Sequence, residues 1–209
     1  MTEVHSHTRN CAVIILAGGK SARLGKAKQL LPYGDRNLLQ HAVDTALMSG
    51  LGPVLVVLGA GREFIYGALS GLPVRVVENG EWEEGMASSI RAGLLDLVRF
   101  SPGIDGAVIM VCDQPFVSAE LLNKMFATQQ ETGKPVIAAT YDGVKGTPAL
   151  FHQTMFSALM ELKGDKGARK FLEQHPEWIE TIPFPEGKLD IDTETDYENL
   201  QQWKKNPAK

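Results

Sequence analysis

The 209-residue sequence predicts an α/β fold, a mostly parallel sheet with helices on both faces. Three observations carry that expectation. Residues 13–17, 54–58 and 107–112 are continuous apolar runs rich in valine and isoleucine, as strands covered on both faces require. Segments with helical spacing alternate with those runs, as in strand–helix–strand crossovers. No internal repeat, low-complexity tract or linker breaks the alternation, so residues 11–204 are expected to form one domain, flanked by a polar, disordered leader over 1–10 and a polar tail over 205–209.

The first run empties into Gly18-Gly19-Lys20-Ser21-Ala22-Arg23-Leu24-Gly25-Lys26-Ala27-Lys28 and recovers at Leu30-Leu31-Pro32. Two glycines just past a strand free the backbone for positive φ and let N–H groups meet an anion. Ser21 adds a short hydroxyl donor, Arg23 a planar fork for phosphate oxygens and Lys28 a mobile point charge, a combination suited to a nucleoside triphosphate. A P-loop is excluded, because five residues rather than four separate Gly19 from Gly25-Lys26, and Ala27 follows where Ser or Thr is needed. The dinucleotide fingerprint Gly-x-Gly-x-x-Gly is not spelled either. The plainer alternative is an ordinary strand-to-helix loop that holds glycines.

Residues 37–49 carry apolar side chains on one helical face and end at Gly50. A strand over 54–58 follows, then a helix over 62–69 after Gly59 and Gly61, and a strand over 74–77 that ends in Glu78-Asn79. Gly85-Met86-Ala87-Ser88-Ser89 opens the next helix, where the serines suit capping or the recognition of a flat polar ring, and Arg91 suits a surface charge. The strand over 107–112 runs into Asp113-Gln114-Pro115-Phe116. A carboxylate at that end of a parallel strand lies on the edge where open α/β sheets bind ligands, and it either holds Mg²⁺ against a triphosphate or caps a turn. Ser118 caps a helix over 119–132. Strands over 135–140 and 146–151, joined by Tyr141-Asp142-Gly143, make an antiparallel excursion in which Gly146 and Pro148 suit a bulge or an edge strand. A helix over 153–162, the polar run Gly164-Asp165-Lys166-Gly167-Ala168-Arg169, a second helix ending before Pro176 and a strand over 179–182 lead to Asp190-Ile191-Asp192. Alternation puts both carboxylates on one side of that extended segment, as a second metal ligand requires, and Thr193 with Asp196 caps a last helix.

These motifs resemble those of nucleotidyltransferases that activate phosphorylated acceptors, in particular the molybdenum cofactor cytidylyltransferase-like (MobA/MocA-type) family, over residues 11–200. The segments that carry the resemblance are Leu16-Ala17-Gly18-Gly19-x-Ser21-x-Arg23-x-Gly25-x-x-Lys28, Gly85-Met86-x-Ser88-Ser89, Cys112-Asp113-x-Pro115-Phe116, Gly146-x-Pro148, Gly164-Asp165-x-Gly167-Ala168-Arg169 and Asp190-x-Asp192-Thr193. The resemblance implies a Rossmann-like three-layer fold with one antiparallel strand, and transfer of CMP from CTP to a phosphorylated pterin cofactor with Mg²⁺. It implies Leu16, Ala17, Gly18, Gly19, Ser21, Arg23, Lys28, Asn79, Ser88 and Ser89 as nucleotide-binding, Lys28 and Arg23 as catalytic, Asp113 with Asp190 or Asp192 as metal ligands, and Gly146, Pro148, Asp165 and Arg169 on the acceptor side. Gly19 stands where cytidylyl members usually have Ala, which keeps GTP open as donor, and a sugar or polyol phosphate remains an alternative acceptor. The implied protein partner is a recipient molybdoenzyme or its chaperone. A non-catalytic cofactor carrier is the alternative from another class.

Composition excludes other classes. A net charge of −4 gives no basic excess for a nucleic-acid surface, and no apolar run approaches the ~20 residues that span a bilayer. The polar start of the chain lacks an apolar signal core, so a cytoplasmic protein is expected. Cys11 and Cys112 fall in core strands without metal spacing and are expected to be free thiols.

Overall fold

The computed structural model describes residues 10–19, 24–165 and 167–205. The first apolar run forms β1 (Cys11–Ala17), buried along its whole length. A short hairpin follows, β2 (Pro32–Tyr33) with β3 (Arg36–Asn37), which periodicity does not announce because each strand is only two residues long. Asn37 then opens α1 (Leu38–Ser49) with a capping box: its side chain accepts from Gln40 N, and the Gln40 side chain returns to Asn37 N. The chain continues through β4 (Val54–Leu58), α2 (Arg62–Ile65), β5 (Arg75–Glu78), α3 (Met86–Phe100) and β6 (Gly106–Val111). Ser118 Oγ accepts from Leu121 N and caps α4 (Ala119–Thr132). Next come β7 (Val136–Tyr141), β8 (Val144–His152), α5 (Phe156–Met160), α6 (Gly167–Gln174), β9 (Ile179–Pro183) and α7 (Glu194–Lys205).

Seven strands pair in the order β5-β4-β1-β6-β8-β7-β9. β1 lies parallel to β4 and β6, whereas β8 runs antiparallel to both β6 and β7. This is the expected three-layer Rossmann-like arrangement with one reversed strand. Asp142 and Gly143, at φ 47° and 74°, make the tight turn that reverses it. β8 is an interior strand, not an edge. Pro148 is tolerated there because the register slips between Ala138 and Ala139, which face Ala149 and Gly146 and leave Thr147 and Pro148 in a bulge.

Alternate residues of β1 feed two separate cores. Val13, Ile15 and Ala17 pack with Leu39, Val43, Leu122 and Met125 of α1 and α4. Ala12, Ile14 and Leu16 pack with Ile90 and Leu94 of α3 and with Phe171 of α6 on the other face. A third, smaller cluster joins Leu24, Leu31 and Leu38 to Ile191 and Leu200, which fastens the chain end beside the loop after β1.

Some local expectations change. The helix expected over 62–69 stops at Ile65 and tightens to a 3-10 turn over Tyr66–Leu69, where Gly67 weakens α-helix. The helix expected over 153–162 is a 3-10 turn, Gln153–Met155, followed by α5 of only five residues. The strands expected over 74–77 and 107–112 shift by one residue, so that Cys112 lies just past β6. Ser88 and Ser89 do not cap α3, whose N-cap is Gly85 without a side-chain bond. Both cysteines are buried free thiols, and burial pushes each up to about 12. No helix among the described residues is long and apolar enough to cross a membrane.

Candidate active site

The C-terminal ends of β1, β4 and β6 meet at one rim, where crossover topology leaves a crevice between loops. A cavity of about 400 Å³ opens there, lined by Leu16, Ala17, Gly18 and Gly19 on one side and by Trp82 and Ser89 on another. Ser21 and Arg23 lie outside the described residues. Gln29, which the sequence does not single out, is 1% exposed and holds the glycine loop from beneath: its Nε2 donates to Ala17 O at 2.8 Å and Gly19 O at 3.3 Å. The only local hint is a polar residue between Lys28 and Leu30 in a stretch that must bury its neighbours.

Gly59 is a second residue that periodicity leaves unassigned. A Cβ there would stand 2.6 Å from Gly18 O and 2.6 Å from Trp82 Cβ, so only glycine lets β4 end against the glycine-loop backbone. Gly59→Ala is expected to push Gly18 and Trp82 apart, weakening nucleotide binding at least ~10-fold and the fold by about 1–3 kcal/mol. Calorimetric titration and chemical denaturation check it, and unchanged nucleotide affinity counts against the close contact.

Asn79, Ser88 and Ser89 form a buried polar knot behind the cavity wall. Asn79 Nδ2 donates to Ser88 Oγ at 2.8 Å and to Ser89 Oγ at 3.0 Å, and its Oδ1 accepts from Glu81 N at 2.9 Å. Ser88 Oγ donates onward to Gly85 O at 2.8 Å. Of the three residues, only Ser89 lines the cavity. Asn79 fixes its hydroxyl directly, and Ser88, bonded to Asn79 and Gly85 O, holds Asn79 in place.

Lys28 lies at the heart of the rim. Its Nζ donates to Asp113 Oδ2 in a short ion pair and to Asp192 Oδ1 at 2.9 Å. Burial draws the ammonium down, but the two carboxylates outweigh it and its pKa ends above that of a free lysine. Asp192 reaches this position because Ile191, 2% exposed, is buried in the third cluster, while Ile191 N donates to Asp113 O at 3.1 Å. Burying such a side chain contributes roughly 1.5–3 kcal/mol, so an apolar anchor sets the place of the flanking acids. Thr193 Oγ1 accepts from Asp196 N at 3.2 Å, and Asp196 Oδ2 accepts from Thr193 N at 2.7 Å, which closes the expected cap of α7.

The other oxygen of Asp113, Oδ1, is buried and has no hydrogen-bond partner among the described residues. An unsatisfied carboxylate oxygen on a residue that lines this cavity fits a hard cation such as Mg²⁺. Asp113, Asp190 and Asp192 nevertheless do not form a ready cage, for no group of three or more acidic, His or Cys side chains among the described residues is arranged to hold a metal. The reason is visible in their partners: Asp192 turns to Lys28, and the Gln114 amide beside Asp190 is itself taken up by Gly187 O at 2.8 Å. A hard cation bound here would be held by one or two of these carboxylates and would supply charge neutralisation.

Burial, and then repulsion from Asp113 and Asp192, push the Asp190 carboxyl up from 3.8 to about 6. Keeping it charged therefore costs stability above pH ~6; the cost shrinks as pH falls through 6 and vanishes below the ordinary carboxylate value near 4. Asp190→Asn is expected to stabilise the metal-free protein at pH 8 by on the order of 1 kcal/mol after solvent screening, roughly 2–4 °C in melting temperature. No gain is expected at pH 4. Equal shifts at both pH values in thermal melts would contradict the repulsion.

A larger cavity, about 750 Å³, adjoins the first across Lys28 and Asp113. Its floor is apolar, with Ile109, Ala149 and Phe151 of β6 and β8, and its rim carries Lys145, Gly146, Asp165 and Arg169. Pro148 acts through the bulge instead of through the lining. A Cβ on Gly146 would meet Tyr141 Oη at 2.2 Å, so a larger residue there would displace the tyrosine ring. Two cavities thus share one charged pair, the arrangement needed by two reactants that exchange a group.

The profile of the family described as MobA-like NTP transferase domain matches residues 13–178. The chain belongs to this family. It is a nucleotidyltransferase, and its MobA-like fold recurs in proteins with diverse names. Nicotine blue oxidoreductase of Paenarthrobacter nicotinovorans is 29% identical over 191 residues, which covers 87% of this chain and 91% of that protein. Purine catabolism protein PucB of Bacillus subtilis is 31% identical over 201 residues, 90% of this chain and 95% of that one. Among solved structures, Rv0371c of Mycobacterium tuberculosis superposes with a TM-score of 0.76 at 32% identity, covering 92% of this chain and 98% of that chain. The same protein has also been solved as a complex with manganese, which matches with a TM-score of 0.75 at 28% identity, again over 92% and 98% of the two chains.

Proposed function

We propose that this transferase moves CMP from CTP to the phosphate of a molybdopterin-type cofactor and releases pyrophosphate. The observation that carries the reading is that Lys28 and Asp113 line both cavities, so a donor beside the glycine loop and an acceptor over β8 and α6 face each other across them. An oxygen of the acceptor phosphate attacks the α-phosphorus of CTP. The bond from that phosphorus to the oxygen bridging to the β-phosphate breaks, and its electron pair leaves with pyrophosphate. Little covalent work falls to the protein in such a transfer; positioning and charge neutralisation supply the rate. Lys28 stabilises negative charge at the α-phosphate, while the glycine-loop N–H groups and Arg23 hold the β- and γ-phosphates. Asp113, with Asp190 or Asp192, would hold Mg²⁺, which would supply neutralisation of phosphate charge.

Support for cytidine comes from the likeness of the Ser88-Ser89 and Asp190-Ile191-Asp192-Thr193 segments to the cytidylyl branch, against Gly19, which follows the guanylyl pattern. The oxidoreductase name belongs to the Paenarthrobacter relative, whereas the glycines at 18, 19 and 25 here do not make a dinucleotide fingerprint. The reading places the reaction in the cytoplasm, with a molybdoenzyme or its chaperone as recipient of the product. Pyrophosphate release with reduced molybdopterin and Mg²⁺, screened across CTP, GTP, ATP and UTP, tests it. Release with CTP alone is expected, release with GTP alone moves the donor to guanosine, and no release with any nucleotide overturns the acceptor assignment.

A further inference from the structure

Arg91, in the second turn of α3, lines neither cavity, yet its guanidinium is committed in three directions. It forks onto Glu84, with Nη1 2.9 Å from Oε1 and Nη2 in short contact with Oε2. Nη2 lies 3.5 Å from Glu81 Oε2, and Nη1 donates to Leu162 O at 2.6 Å. The first two partners stand on the loop that walls the donor cavity, and the third begins the segment between α5 and α6. Arg91 in turn holds the Glu84 carboxyl below its ordinary range.

The same two segments touch elsewhere along their length. Ala87 N donates to Gly164 O at 3.1 Å, and Gly164 N points to Glu84 Oε1 at 3.5 Å. The approach is close enough that a Cβ on Gly85 would stand 2.2 Å from Asp165 Oδ1 and 2.8 Å from Asp165 N. Met86 and Asp165, one from each segment, line both cavities and form their shared wall. The planar, five-donor guanidinium can bridge a carboxylate and a carbonyl at once, a geometry that a lysine ammonium on a flexible stem does not hold.

We propose that Arg91 is a positioning residue that ties the donor-side loop at 81–87 to the acceptor-side segment at 162–165, so that the wall of the acceptor cavity is held in place by the loop that contacts the nucleotide. This rests on the nucleotidyl-transfer reading for what fills the two cavities, and it adds which residue joins them. Loss of Arg91 frees Asp165 and the start of α6 without disturbing the glycine loop, Gln29 or Lys28. Substrate affinities are therefore affected unequally.

The test compares wild type, Arg91→Ala and Arg91→Lys. In steady-state pyrophosphate release, Arg91→Ala raises the KM for reduced molybdopterin about 10-fold or more and leaves the KM for the nucleotide within about threefold; Arg91→Lys restores less than half of the loss on a logarithmic scale. Hydrogen exchange in the nucleotide-free protein supplies a readout that needs no reaction: amides at 162–165 exchange at least ~10-fold faster in Arg91→Ala, with the melting temperature within about 3 °C of wild type. Both KM values rising together, neither rising, or unchanged exchange at 162–165 overturns the proposal. Absence of any transfer by the wild type counts against the nucleotidyl-transfer reading alone, since the exchange result still decides the role of Arg91.

Discussion

Replacing Lys28 by alanine leaves nucleotide binding in place and slows pyrophosphate release by about 10²-fold or more, the scale of losing one preorganised charge-stabilising donor. Binding persists because the loop backbone and its Gln29 support do not depend on the ammonium. Turnover falls because Lys28, among the described residues, is the cation that lines both cavities. The substitution has a second, separable effect. Lys28 is 16% exposed and Asp113 14%, so removing the lysine leaves a mostly buried carboxylate without its ion partner, a destabilising change. A divalent cation can replace the lost charge, and Mg²⁺ or Mn²⁺ is therefore expected to raise the melting temperature of Lys28→Ala more than that of wild type. Turnover within threefold of wild type, measured at saturating nucleotide, would remove Lys28 from the chemistry.

Asp113→Asn carries the other large effect: a fall in turnover of roughly 10³-fold, corresponding to the several kcal/mol that a metal contributes in neutralising transferring phosphate. Asparagine keeps the shape but offers one carbonyl oxygen where the carboxylate has two, one paired with Lys28 and one buried without a partner. Metal affinity measured by calorimetry with Mn²⁺ in the presence of nucleotide should drop in parallel. A variant that retains Mn²⁺ affinity but loses turnover would assign Asp113 to holding Lys28 alone, and one that retains both would dismiss the metal cradle.

The behaviour of particular residues shows how far local pattern reaches. Val13, Ile14 and Ile15 read as a buried strand because the run is short, β-branched and closed by glycines, and Asp113 just past β6 follows from the same logic. Ser118 before α4 and Thr193 with Asp196 before α7 were legible because a capping side chain bonds to backbone three residues away. Ser88 and Ser89 misled for the same reason: their spacing from Gly85 suits a cap, but Asn79, nine and ten residues earlier, takes both hydroxyls. Gly59 was legible as a turn and not as a contact, since its requirement comes from Gly18 and Trp82 on other segments.

Periodicity, glycine placement and capping chemistry by themselves determine the strands of the seven-stranded sheet, most of the helices, the reversed hairpin and the glycine loop, since each depends on neighbours within a few residues. Only the tertiary structure decides that Lys28 meets Asp113 and Asp192, that Gln29 supports the loop, and that Arg91 ties the two cavity walls together. Those partners are 85, 164 and 71 residues away for the two Lys28 pairs and the Arg91–Leu162 bond. They are brought together by sheet order and by the burial of Ile191, long-range packing that no local pattern encodes.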